Sequence, residues 1–373
     1  MLNTIRFLIA ALSMTCALAA QSAAQSAIPP GNVYVQTNDP AGNSVLVWNR
    51  MRDGTLRFQA RYSTGGMGGG PLNSQGSVIL TPDERFLLVT NAGDCSLSSF
   101  ALNVRGGLVL IDKRLTGGDG PISVTTFQGT VYTLHSGSAI NDVRGLTLAV
   151  DGKLGALPFS RQPLSLPKPG PAQVQFSPQG QWLVVTEKGT NNILIFDVDP
   201  MTGLLPSVAN VHPSSGPTPF GFGFLGNNRL VVAEAWMGAS GAGAVSSYQI
   251  NSSANLATIS ASIPSMQTAS CWIALTGDGN FAYATNTPDD TITGYSIDAA
   301  GVLTRLDASG ITGSVSAGAN PVDADFSRNS RYLYTCNNGD GSIGAFARQS
   351  DGSLIALPSA PSGMPGIWGM AVR

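Results

Sequence analysis

The sequence predicts an all-β fold: a seven-bladed β-propeller closed by pairing the C-terminal strand into the first blade. Two observations carry that prediction. A strand-and-turn segment recurs seven times, and its turn residues, Asn38, Asn91, His135, Glu187, Glu234, Asn286 and Asn337, lie 53, 44, 52, 47, 52 and 51 residues apart. A period near fifty with four short strands per unit is how such rings are built. The second observation is composition: 45 Gly and 23 Pro among 373 residues, with 11% charged, favour many short strands and tight turns over helix bundles or disorder.

Taken in order, the chain begins with Arg6 ahead of an apolar run from Phe7 to Leu12, continued by SMTCALAA. Small residues follow, with Ala17-x-Ala19 and Ser22-x-Ala24 as alternative cleavage signals. Residues 1–24 therefore read as a secretory signal peptide, and the mature protein as periplasmic or secreted. SMTC is a poor lipoprotein signal, which leaves Cys16 inside the leader. No later apolar stretch reaches the roughly 18 residues of a membrane helix. Cys95, Cys271 and Cys336 remain, so the chain holds either one disulfide and a free thiol or three thiols.

Residues 30–373 form the propeller. Blade 4 shows the unit most clearly: PAQVQFSPQG is the inner strand A with its turn, QWLVVTE is strand B, NNILIFDVDPMTG is strand C with its turn, and LLPSVANVH is strand D. TPDER, TGDGN and SRNSR repeat the A–B turn, while DAAGVLTRL and QSDGSLIAL repeat the C–D turn, with Gly or Asn at positions that need positive φ. Blade 1 starts at strand B, in NVYVQTND. Its missing inner strand is MPGIWGMAVR, at the other end of the chain. Closing the ring in this way removes an exposed sheet edge.

Strand order puts the B–C turns and the D–A loops on one face, called the top here, around the channel mouth where small molecules commonly bind. Asn at four of the seven turn positions suits a turn cap. His135, Glu187 and Glu234 occupy blades 3, 4 and 5 in succession. They are either solvated turn residues or a catalytic arc on one side of the mouth. His212 and Lys188 fall on the same face, and Asn286, Asn337, Trp236 and Trp272 complete the expected substrate-binding set. Trp236, Trp272 and Trp368 either stack on a ring-shaped ligand or plug the channel. Asp323 and Asp325, two apart on an inner strand, are expected to point one into the channel and one toward turn backbone. The run STGGMGGGPLNSQG, Ser63–Gly76, precedes no helix; it is read as a flexible loop and not as a phosphate-binding turn.

The net charge of −2, with no basic run, excludes a nucleic-acid footprint. The sequence has no G-x-S-x-G, H-E-x-x-H or C-x-x-C, which removes the serine-hydrolase elbow and the common zinc sites. Calcium could be held by Glu187, Glu234 and ring Asn oxygens, but no spacing demands a metal. No cofactor is expected.

FSPQGQWLVVTEKGTNNILIFDVDPMTGLL and its sibling repeats resemble the seven-bladed lactonase family, across essentially all of residues 30–373. That family includes the propeller-type bacterial 6-phosphogluconolactonase and the fungal carboxy-cis,cis-muconate lactonising enzyme. The resemblance implies catalysis on the top face. The lactonising enzyme's His, Arg, Glu and Arg correspond here to Ile122, Ala172, Glu187 and Glu234, so only one carboxylate persists. A di- or tricarboxylate substrate needs cationic partners that these positions do not offer. Three functions follow as expectations: hydrolysis of a neutral lactone or ester with Glu187 or Glu234 as base and His135, His212 or Lys188 stabilising the oxyanion; a lactonising cycloisomerase; or a non-catalytic propeller that binds a ligand or a protein.

Overall fold

A computed structural model describes residues 28–137, 140–206, 208–226 and 228–373; the leader expected at residues 1–24 lies outside them. Among the described residues the strands form seven antiparallel sheets, with no α-helix and two short 3₁₀ turns, Trp236–Gly238 and Thr287–Asp289. The last strand, Trp368–Val372, pairs with Gly31–Gln36 in the register Val33 to Val372 and Tyr34 to Ala371, so the ring closes as the sequence predicts.

The inner strands of blades 2 to 7 are Val78–Leu80, Pro121–Phe127, Pro171–Phe176, Pro219–Leu225, Ser270–Leu275 and Pro321–Phe326. Strands B and C of each blade are buried almost throughout, because neighbouring blades cover both their faces. Trp182, Val184, Ile193 and Ile195 of blade 4, for example, pack on Phe222, Leu230, Val232 and Tyr248 of blade 5. Each such side chain contributes roughly 1.5–3 kcal/mol by leaving water.

A repeated pin fixes blades 1, 3, 6 and 7 each against the next. The strand-B tyrosines Tyr34, Tyr132, Tyr283 and Tyr334 donate through their hydroxyls to the C–D turn carbonyls of Gly106, Gly203, Gly352 and Gly54. The acceptor must be glycine at the last of these. Gly54 sits at φ +86°, and a Cβ there would lie 2.3 Å from the Tyr332 ring.

Candidate functional site

The seven turn residues do not line the channel mouth. Six of the side chains turn into the blades, and His135, Glu187, Glu234, Asn91 and Asn286 are all 0% exposed; Asn38, two residues past the end of its strand at Gln36, instead bonds the Gly69 and Gly70 backbone of the glycine-rich loop. In blade 6, Asn286 donates to the Thr291 and Thr293 hydroxyls of strand C and accepts from Ser270 at the start of strand A. Asn91 repeats the pattern with Ser96 and Ser98. In blade 7, Asn337 donates to Ser342 and accepts from Thr335. This position is a knot that ties strand B to strand C, and in several blades to the incoming loop.

The ionisable members of the ring tie larger knots of the same kind. Glu187 accepts the backbone N–H of Ser165 at 3.0 Å, the hydroxyl of Ser165, and the hydroxyl of Thr190. Glu234 accepts from Gly216 N–H at 2.8 Å, Ser246 at 2.6 Å, Ser262 at 2.7 Å and Ser214 at 3.2 Å. His135 lies between the Thr116 hydroxyl, 2.9 Å from Nε2, and Asp142, 3.1 Å from Nδ1. Burial alone would raise the Asp142 carboxyl, but His135, Arg144 and Arg161 outweigh it and hold the group at about 2. The three residues share no partner, and nothing of a ligand's size reaches them. The expected catalytic arc is thus replaced by three separate buried networks, because a strand-B side chain at this register points between its own strands.

The remaining expected residues are scattered. His212 lies on the outermost strand of blade 4 and bonds through Nε2 to the Ala254 carbonyl at 2.8 Å, far from the axis. Trp236 occupies a surface turn at φ +48°. Trp272 and Trp368 are core residues, which decides the plug alternative for them. Lys188 does reach the axis: Nζ donates to the Asn73 carbonyl at 2.6 Å and sits 4.5 Å from the Phe220 ring centroid. Burial lowers its amine to about 8, with Cys271 opposing slightly. Cys95, Cys271 and Cys336, the cysteines among the described residues, are free thiols.

What Lys188 holds is the glycine-rich loop, and that loop is a plug. Gln75 makes a two-way bond to Ile273, with Nε2 to its carbonyl at 2.8 Å and Oε1 from its N–H at 3.1 Å. Ser74 donates to the Ile122 carbonyl and accepts from the Trp272 indole. Leu72, Ile122, Ala172 and Phe220 are buried beneath. The flexibility expected of this loop is overturned, since its bonds reach blades 3, 4 and 6. Gly221 makes room for it, because a Cβ there would fall 2.1 Å from Gln75 Oε1.

With the top plugged, the open space lies in the other half of the channel. A cavity of about 490 Å³ runs from Gln75 and Gly76 down to the A–B turns at Pro82 and Pro178, lined by all seven inner strands. Its polar wall comes from alternate inner-strand positions: Thr125, Gln173, Gln175, Asp323 and Asp325. Strand A alternates because one side of each strand faces the axis and the other faces the blade core. Both aspartates face the channel, which corrects the expectation that one would turn away. Each binds the closing strand: Asp323 Oδ2 accepts Met370 N–H at 2.9 Å, and Asp325 Oδ2 accepts Val372 N–H at 2.8 Å. Burial lifts Asp325 to about 7. Burial, reinforced by the charge of Asp325, holds Asp323 well above the ordinary carboxylate range. Gln173 likewise spans to blade 5, bonding both Phe222 N–H and carbonyl, and its Nε2 also reaches Gln175. The sequence carried a signal for this wall that the turn residues obscured. ISVTTF, AQVQF and VDADF share a polar residue at every second position of strand A.

Neither a Lys, an Arg nor a His lines the cavity, and among the described residues no cluster of three or more His, Cys, Asp or Glu could hold a metal. The site is therefore a neutral-to-acidic pocket on the axis of a seven-bladed ring, which defines the class as a propeller with an inner-strand carboxylate site. A model of the lactonase seven-bladed β-propeller family matches residues 130–366, and the chain belongs to that family. No curated relative matches. Among solved structures, the periplasmic gluconolactonase of Pseudomonas aeruginosa is similar at 18% identity and a TM-score of 0.70, covering 92% of this chain and 98% of that one. A protein from Lactobacillus plantarum is similar at 16% identity and a TM-score of 0.72, covering 92% and 99%. A streptogramin B lyase matches at 14% identity and a TM-score of 0.57, covering 82% and 89%. At these identities the structures share the fold alone.

Proposed function

We propose that the protein hydrolyses a neutral lactone inside the central channel, with Asp325 as general base. The observation that supports this is a carboxylate facing a cavity of about 490 Å³ and held by burial at about 7. A base is most effective when its pKa lies near the working pH, and a positioned one contributes about 10²–10⁴-fold. Asp325 takes a proton from water as the water oxygen bonds to the lactone carbonyl carbon. The Gln175 amide, whose oxygen already accepts from Gln173, turns its NH₂ to the developing oxyanion. The ring C–O bond then breaks, and Asp325 returns the proton to the departing alkoxide, leaving a hydroxy acid. Burial also disfavours the charged form of Asp323 beside it, which limits a second negative charge in the wall. The new carboxylate of the product is repelled by Asp325, which favours release.

The lack of cations in the cavity wall argues against phosphorylated or polycarboxylate substrates, and so against the lactonising alternative. The arrangement of Arg6, the Phe7–Leu12 run and the small residues that follow supports export to the periplasm or beyond; N-terminal sequencing of the mature chain tests it. A binding propeller without catalysis is the second reading. It is favoured by Ile122 and Ala172 standing buried where the family's resemblance places a His and an Arg.

A lactone panel read by proton release decides between them. Catalysis predicts turnover of at least one uncharged lactone, abolished in Asp325→Asn and retained in Glu187→Gln. Equal rates in wild type and Asp325→Asn would overturn the assigned base, and no turnover across the panel would favour the binding reading.

A further inference from the structure

In an inner strand, every second residue turns its N–H and carbonyl away from strand B and toward the channel edge. A polar side chain of the preceding blade, standing at the level of such an N–H, caps it with an oxygen. Ser123 caps Val174 at 3.2 Å, Thr125 caps Phe176 at 3.1 Å and Gln173 caps Phe222 at 2.6 Å. Asp323 caps Met370 at 2.9 Å and Asp325 caps Val372 at 2.8 Å. On blade 6, where blade 5 offers only Gly221, the plug supplies the cap, from Gln75 to Ile273 at 3.1 Å.

Gln175 breaks this series. It lies two residues beyond Gln173, as Phe224 lies two beyond Phe222, so the same register sets Gln175 against the Phe224 N–H. Its oxygen is taken instead by Gln173 Nε2, at 3.2 Å. The direction of that amide is fixed. Gln173 spends its own oxygen on the Phe222 N–H and donates from Nε2 to the Phe222 carbonyl at 2.9 Å, which leaves only a donor to meet Gln175. The Gln175 NH₂ therefore points away from Gln173. Among the described residues neither it nor the Phe224 N–H has a protein partner. Gly223 places no side chain over the two groups, and Gln175, Gly223 and Phe224 all line the channel cavity.

We propose that the Gln175 NH₂ and the Phe224 N–H together form the oxyanion site of the channel, taking from the substrate carbonyl the oxygen that Phe176 and Phe222 take from side chains. This rests on the lactonase reading above and adds a backbone donor to it. As the water oxygen bonds to the carbonyl carbon, the carbonyl π pair moves onto this oxygen; it returns as the ring C–O bond breaks. Both donors are held in place before the charge develops, which is where such stabilisation is strongest. The Phe224 carbonyl, open on the same edge, can accept a ligand N–H as the Phe222 carbonyl accepts that of Gln173. A lactam carries its carbonyl and N–H on one side, so it copies the Gln173 amide and fills the site without turning over.

The test uses δ-valerolactone turnover, read by proton release, and the melting-temperature rise on adding δ-valerolactam, both on the mature protein. Gln175→Ala removes one donor and leaves the Phe224 N–H open, so kcat should fall about 10²–10³-fold. Gln175→Thr installs the residue that caps Phe176 one blade earlier, and its hydroxyl closes the Phe224 N–H. Its kcat should fall about tenfold or more below that of Gln175→Ala, because both donors are then lost. A purely structural role for Gln175 predicts the reverse order, since threonine restores the bond between blades. The lactam shift should persist in Gln175→Ala and vanish in Gln175→Thr. Where the lactone is turned over, equal rates in the two variants, or threonine above alanine, overturn the site and leave the hydrolase standing. Where no lactone is turned over, the hydrolase reading fails and the lactam decides. A shift kept with alanine and lost with threonine retains the two donors as a binding site for carbonyl oxygens; a shift that does not separate the variants, or none at all, overturns it.

Discussion

Two regions of this propeller hold carboxylates in quite different situations. Glu187 and Glu234, at the ends of strands B, are wholly buried and accept three or more hydrogen bonds each from their own blade and the loop entering it. Asp323 and Asp325, on an inner strand, accept from backbone alone and stand in the wall of a cavity. Acid residues are thus read differently by register. At the end of strand B the side chain points between strands and becomes a knot; on strand A every second side chain points to the axis. A carboxylate that spends three or more of its about four acceptor sites on its own blade and the incoming loop, with no exposed surface, cannot meet a substrate, whereas one in a cavity wall that spends one site per oxygen on backbone still can.

The comparison is broken most directly by activity. Asp325→Asn keeps an acceptor for Val372 N–H yet removes the base, so kcat/KM on a neutral lactone should fall about 10²–10⁴-fold, while Glu187→Gln should stay within about twofold of wild type. A fall in Glu187→Gln matching that of Asp325→Asn, measured by proton release, would return the chemistry to strand B.

Stability comes next in size. Asp142 is a 0% exposed carboxylate shared by His135, Arg144 and Arg161. Asp142→Asn leaves cations unpaired around a buried amide and should cost about 3–5 kcal/mol in denaturant unfolding. Glu234→Gln keeps an acceptor but strands a buried NH₂ among serine hydroxyls, at a cost of about 1–3 kcal/mol. A neutral result for either would mean that the strand-B knots are not structural.

The smallest effects concern pH and the plug. Asp325 has a folded-state pKa of about 7, above the ordinary carboxylate value of 3.8, so the folded state binds more protons across that window and unfolding free energy falls as pH rises through it. Asp323 acts in the same direction. Asp142, held at about 2, contributes stability that is present above the ordinary carboxylate range and lost only as pH falls through it towards 2. Melting temperature should therefore decline from pH 5 to pH 8, and Asp325→Asn should flatten that slope; a wild-type profile rising over the interval would place Asp325 in water. Gln75→Ala should lower stability by about 1 kcal/mol and open the top of the channel, seen as faster hydrogen exchange at the Ile273 amide.

Much of this architecture was legible in the chain. The fifty-residue period, the TPDER-like turns and the displaced last strand follow from local patterns that repeat, and repetition averages out the ambiguity of any one copy. Legibility stopped at side-chain direction. The turn position was found in six blades, blade 1 ending its strand at Gln36 and not Asn38, but its side chain's path into the blade depends on Ser165, Ser246 and Thr116, residues on other strands and loops. The inner-strand wall was visible as alternation in VDADF, yet the plug hid which half of the channel stays open. Gly221 and Gln75 show why: their fit joins positions 146 residues apart, and neither residue suggests it alone.

Taken alone, the sequence determined the number of blades, the strand order and the closure, because each is set by patterns within one repeat or at the chain's ends. Tertiary structure decided which polar groups meet a ligand and which are locked away. That choice depends on what neighbouring blades place against each side chain, and burial with satisfied hydrogen bonds has no local signature.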